Sequence, residues 1–153
     1  MNYSLSLRLL LVGGLLSQTS CGEALTAPAT SEILPVSVHT RSPNAGEIVP
    51  TVRVSGGMGY VAVSVTRTAM CATLVSAGVS RGTDELAVVA HVASNPAAIC
   101  AAVLQTLVVD YGGIINSVGA GTYRVRVFEA IADGAPKFIG SATVSVAPPG
   151  GTL

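Results

Sequence analysis

Two stretches of strict apolar–polar alternation constrain this chain more than anything else in it. From Tyr60 to Thr66, Val61, Val63 and Val65 fall on one face. From Tyr123 to Glu129, Val125 and Val127 point one way, while Arg124, Arg126 and Glu129 are expected on the solvent side. A period of two belongs to a strand with one buried face, and no helix can keep such residues together. Valine adds its own preference, because branching at Cβ suits the pleated sheet better than the helix.

Further strands follow from the same reasoning. Val36-Ser37-Val38-His39-Thr40 alternates and runs into Arg41-Ser42-Pro43-Asn44-Ala45-Gly46, a dense turn signal. Residues 48–55 form a second strand in which Pro50 marks an edge or bulge. Gly56-Gly57-Met58-Gly59 then makes a hairpin turn. Leu86 to Val92 is almost continuously apolar, as expected of a central strand covered on both faces. Val108 to Tyr111 reads as a short strand broken by Gly112-Gly113. Phe138 to Val146 closes the domain after a turn at Ala132-Asp133-Gly134-Ala135-Pro136. Thr68 to Gly82 fits strand or short helix. The one clear helix signal is at 96–106, where Asn95 caps, Pro96 takes the first position, and Ile99, Cys100, Val103, Leu104 and Leu107 share a face. No internal repeat is present.

The length of 153 residues suits one domain and a leader, and half the residues are hydrophobic while only 10% are charged. Seven Arg and one Lys are scattered along a chain of zero formal net charge. Nucleic acid and anionic membranes are recognised by clustered positive charge, so the sequence offers no electrostatic footprint for either.

Residues 1–20 read as an export leader, with Arg8 ahead of the apolar run Leu9 to Leu16. That run is too short for a permanent transmembrane helix and has the length of a signal-peptide core. Thr19-Ser20-Cys21-Gly22 resembles the box of a bacterial lipoprotein signal, although Gln18 stands where Leu is usual. The resemblance implies that Cys21 is diacylated on sulfur and becomes the new N-terminus, anchoring the protein to the periplasmic or surface face of an envelope membrane. Cleavage by an ordinary signal peptidase near Ala27-Pro28-Ala29, giving a secreted protein, is the alternative. The chain has three cysteines. With Cys21 lipidated, Cys71 and Cys100 remain, and an oxidising compartment favours their pairing over two separate buried thiols. Residues 21–32 read as a flexible tether, 33–147 as the domain and 148–153 as a disordered tail.

The segment Val118-Gly119-Ala120-Gly121-Thr122-Tyr123, followed by an alternating strand, resembles the closing hairpin of immunoglobulin-like and fibronectin type III-like modules of bacterial surface proteins. There a tyrosine hydroxyl ties back to the preceding corner, a role that would fall to Tyr123. The resemblance implies an all-β, immunoglobulin-like antiparallel β-sandwich, to which the sequence adds one short helix.

Chemistry-bearing constellations are scarce. The chain has two histidines and no Gly-x-Ser-x-Gly elbow. His39 sits among polar neighbours, whereas His91 in its apolar strand is expected to be a hydrogen-bonded core or interface residue. No Asp, Glu or Cys lies at ligand spacing from either histidine, so neither a metal nor another cofactor is expected. Gly56-Gly57-Met58-Gly59 precedes a strand rather than a helix and so cannot cradle phosphate. The absence of Trp disfavours a carbohydrate platform, and Lys137, the only Lys, is poorly placed for an isopeptide bond. The sequence therefore points to a non-enzymatic envelope lipoprotein that serves as a binding or structural module with a protein partner. The alternatives are a subunit of an extracellular fibre, and a secreted hydrolase or inhibitor acting through loops 41–47 or 112–122.

Overall fold

The computed structural model describes residues 26–69, 73–94 and 107–150. These residues form nine strands: β1 (Glu32–Leu34), β2 (Ser37–Arg41), β3 (Thr51–Gly56), β4 (Tyr60–Ala69), β5 (Thr73–Arg81), β6 (Glu85–Ser94), β7 (Leu107–Asn116), β8 (Gly121–Ile131) and β9 (Lys137–Val146). The helix expected at 96–106 lies outside the described residues, as do Cys21, Cys71 and Cys100. Among the described residues no helix is long and apolar enough to cross a membrane.

The strands make two sheets, β1-β5-β6-β8-β9 and β2-β7-β4-β3. Their facing surfaces share one core. Val61, Val63 and Val65 of β4 and Val109, Tyr111 and Ile115 of β7 meet Val79 of β5, Leu86, Val88 and Ala90 of β6, and Val125 and Val127 of β8. The alternation that marked β4 and β8 as strands is thus the alternation that fills the space between the layers. All pairings between these strands are antiparallel except one, since β6 and β8 run parallel from Glu85↔Arg124 to Val92↔Ile131. The expected all-β, predominantly antiparallel architecture is found, with this one parallel pair of strands within it. Between β6 and β8 the chain passes through β7 in the other sheet, and it returns in the direction in which it left.

The ambiguous stretch resolves into strand wherever it is described. β4 runs on to Ala69, and β5 pairs with β6 from Thr73↔Ser94 to Arg81↔Leu86. The hairpin at 56–59 forms as expected, with the Gly57 amide donating to the Tyr60 carbonyl at 2.9 Å and Gly59 in the left-handed region at φ 74°. Gly112-Gly113, by contrast, does not break a strand. β7 continues through both residues, pairing with β2 and β4. A Cβ at Gly112 would stand 2.5 Å from the Val63 carbonyl oxygen, and one at Gly113 would stand 2.6 Å from that of Pro35. The glycines are there because backbone passes too close for any side chain, which is their other use within a strand.

β6 is covered on both faces, though by a different device than simple burial. Its second face forms a small cluster of Ala87, Val89 and Phe128, packed by Phe138 and by Ala27 from the segment ahead of β1. Phe128 and Phe138 meet edge-on at 5.7 Å between centroids. Residues 27–31, read from sequence as tether, rest on this outer face instead. Thr30 stands over Gly78, and the Ser31 amide donates to the Val79 carbonyl at 3.0 Å.

Candidate functional site

The outer face of the four-stranded sheet is open and polar, and its register fixes which side chains meet. Ser37, Gly112 and Ser64 form one cross-strand row, and His39, Asp110 and Thr66 form the next. Because Gly112 has no side chain, the middle of the first row sinks. The result is a groove of about 480 Å³, with Pro35, Ser37 and His39 along one side, Ala62 and Ser64 along the other, and Ile114 and Asn116 toward one end.

Asp110 closes the other end of the groove and is held firmly. The Thr66 hydroxyl donates to its Oδ1 at 2.6 Å, and Arg41 Nε donates to its Oδ2 at 2.7 Å. Arg41 reaches on to the Glu47 carboxylate, which also accepts from the Asn44 amide at 3.0 Å. The Arg41 bonds, then the Asn44 amide, pull the Glu47 carboxyl down to about 2. Thr66 and then Arg41 lower Asp110. Both carboxylates are therefore held ionised, and the sign of the pH effect follows. Their contribution is complete above the ordinary carboxylate range and is lost as pH falls through the lowered folded values. Acidification from about pH 4.5 toward 2 should thus loosen the 41–47 turn before the core unfolds. Backbone amide exchange followed by NMR should show Asn44 and Glu47 losing protection first, and simultaneous loss throughout the domain would rule out this order.

The chemistry open to this face is recognition by hydrogen bonding. With Arg41 and Thr66 on the two Asp110 oxygens, the carboxylate is occupied and does not orient His39. His91, expected to be a core or interface residue, is not in the core but exposed on the far side of the molecule. The register turns it outward beside Val89 in a depression of about 350 Å³ lined also by residues 26–30, Ala135 and Pro136. The two histidines therefore lie on opposite outer faces and share no site. Of the loops considered for a hydrolase or inhibitor, 41–47 is taken up by the Arg41–Glu47 pairing, and the first part of 112–122 is strand. Among the described residues no group of three or more His, Cys, Asp or Glu is placed to hold a metal ion.

A second polar cluster lies between the sheets. Arg67 continues the inward face of β4, and its Nη1 stands 3.0 Å from Glu129 Oε2. The other oxygen of Glu129 accepts from the Tyr111 hydroxyl at 2.7 Å. Glu129 was expected in solvent, yet its side chain is only 10% exposed. The reason is parity: residue 129 shares a face with Val125 and Val127, and a buried acid is stable there because a cation and a phenol meet it. Burial and then Glu129 push the Tyr111 phenol far above its ordinary range, so it remains a donor.

Tyr123 packs on the main core with its ring over the Gly119–Gly121 corner; a Cβ at Gly119 would stand 3.3 Å from its hydroxyl. The groove residues Ser37, Ser64, Thr66 and Asp110 escaped sequence reasoning. The available signal was Asp110, a lone acid in an apolar run.

Comparison of this chain with protein-family models, with curated proteins and with solved structures finds no match in any of the three.

Proposed function

We propose that this is a lipid-anchored protein of the bacterial envelope whose immunoglobulin-like sandwich is a non-enzymatic binding module. The leader and Cys21 support the anchor. The observation that carries the binding role is the groove over Gly112, a concave strip of hydroxyl, amide and imidazole groups on a sheet face that no other described element covers. Its charged end is neutralised internally, so the partner is met by neutral polar groups and by Ile114, which is 52% exposed. The occupant is a protein surface or extended segment rather than a sugar, because Tyr111, the tyrosine among the lining residues, is buried in the core and offers no open ring face for stacking. A fibre subunit is supported less well. Of the four sheet edges, β1 has three residues, β2 five and β3 six, which offer little template for strand exchange, and the ten-residue β9 is the one long edge a fibre subunit could use.

The test joins anchor and groove. Mass spectrometry of the envelope fraction should show the Cys21 peptide carrying a diacylglyceryl group, and Cys21→Ser should release the protein from the membrane. Cross-linking in intact envelopes should capture a partner from wild type, and Ser64→Arg, which fills the groove centre, should cut that capture by about tenfold or more. Ser64 is exposed, so the melting temperature should hold. Undiminished capture by Ser64→Arg would remove the groove from the binding role, and a soluble wild type with an N-terminus after Ala29 would remove the anchor.

A further inference from the structure

The path of the N-terminal segment fixes which end of the domain an anchored molecule brings to its membrane. Thr26 and Ala27 lie beside Ala135 and Pro136 of the β8–β9 turn, and from there the chain crosses Val89 and Gly78 to enter β1. Only five residues of chain lead from Cys21 to Thr26. Fully extended, they span at most about 18 Å. An acyl group on Cys21 therefore holds the β8–β9 turn within that distance of the bilayer.

Register places other features at the same end. Val92 pairs with Ile131, Thr73 with Ser94, Ala69 with Leu107 and Arg41 with Val108. Ile48, whose carbonyl accepts from the Thr51 hydroxyl, is there too, since Thr51 pairs with Thr66. Ile48 is 83% exposed and Ile131 58% exposed. Two large apolar side chains standing in water at the tips nearest the anchor suit the interfacial zone of a bilayer. The opposite end carries the glycine hairpin at 56–59 and the C-terminal residues, with Met58 bridged to Ala147. It lies about 33 Å away along the ten residues of β4.

We infer that the domain sits end-on against the lipid surface, with Ile48, Ile131 and the β8–β9 turn at the interface, the groove opening sideways, and the hairpin of Met58 pointing away. This rests on the acylation of Cys21. The chain has no Trp, so each of Ile48→Trp, Ile131→Trp and Met58→Trp provides a single reporter at an exposed position. The full-length acylated proteins would be reconstituted into phosphatidylethanolamine–phosphatidylglycerol vesicles containing a dansyl-headgroup lipid. Energy transfer from Trp at 48 and at 131 should exceed that from Trp at 58 several-fold. Equal or stronger transfer from position 58, with the Cys21 peptide still showing its diacylglyceryl mass, would overturn the orientation and leave the anchor intact. An unmodified Cys21 peptide would overturn both.

Discussion

Non-reducing peptide mapping of the protein produced in an oxidising compartment should return a single pair joining Cys71 to Cys100, and reducing it should lower stability by roughly 2–4 kcal/mol. The strands that flank each cysteine support this. Cys71 stands in a three-residue link between Ala69 and Thr73. Those two residues pair with Leu107 and Ser94, the limits of the link that contains Cys100. The two links are thus bounded by the same two rungs of the sandwich. Cys71 is two residues from Thr73, and Cys100 is six from Ser94, a reach of about 20 Å that permits a bridge without disturbing either sheet. Closing a loop of about 30 residues accounts for the expected size through loss of unfolded-state entropy. Two alkylatable thiols in the native protein would refute the bond. A change under about 1 kcal/mol on reduction would leave it without structural weight.

Glu129→Ala should be the most damaging single substitution among the polar residues, costing roughly 2–4 kcal/mol in urea unfolding. It strips the carboxylate from between Arg67 and Tyr111, leaving one cation and one phenol inside the sandwich without their partner. Tyr111→Phe removes a single hydrogen bond and should cost about 1 kcal/mol. The double change Arg67→Met with Glu129→Leu should recover much of the loss, because an apolar pair avoids the desolvation of both charges. If Glu129→Ala falls within about 0.5 kcal/mol of wild type, the cluster contributes little to holding the sheets together.

What could be read from the sequence, and what could not, divides along the range of the forces involved. The inward faces of β4 and β8 were legible because alternation is local and each valine reports its own side. Leu86 to Val92 was rightly read as central, since a strand covered twice has to be apolar along its length. Gly112-Gly113 was misread because a glycine that ends a strand and a glycine that admits a neighbouring backbone look alike until the neighbour is known. Glu129 was misassigned for a related reason, and of the two places expected for His91 the core is the one it does not take. Hydrophobic surroundings suggested that His91 was buried and charge suggested that Glu129 was exposed, but facing is set by parity along the strand. The docking of residues 27–31 is wholly non-local, depending on the phenylalanines of β8 and β9. The groove was invisible for the same cause, since its rows are assembled from three strands far apart in sequence.

The parallel pairing of β6 with β8 governs the order in which this protein is completed. β5 and β6 are neighbours in the chain and can zip together early, but β8 reaches the other side of β6 only after the chain has built β7 into the opposite sheet. Until then the edge of β6 from Glu85 to Val92 stays open, with its hydrogen-bonding groups unspent beside a nearly unbroken apolar run. Closure through such distant contacts is the topology of slow-folding domains. A chain that has not yet placed β8 therefore lacks a central strand of its larger sheet. The last central rung of the larger sheet is supplied only when β8, as far as Ile131, lies along β6.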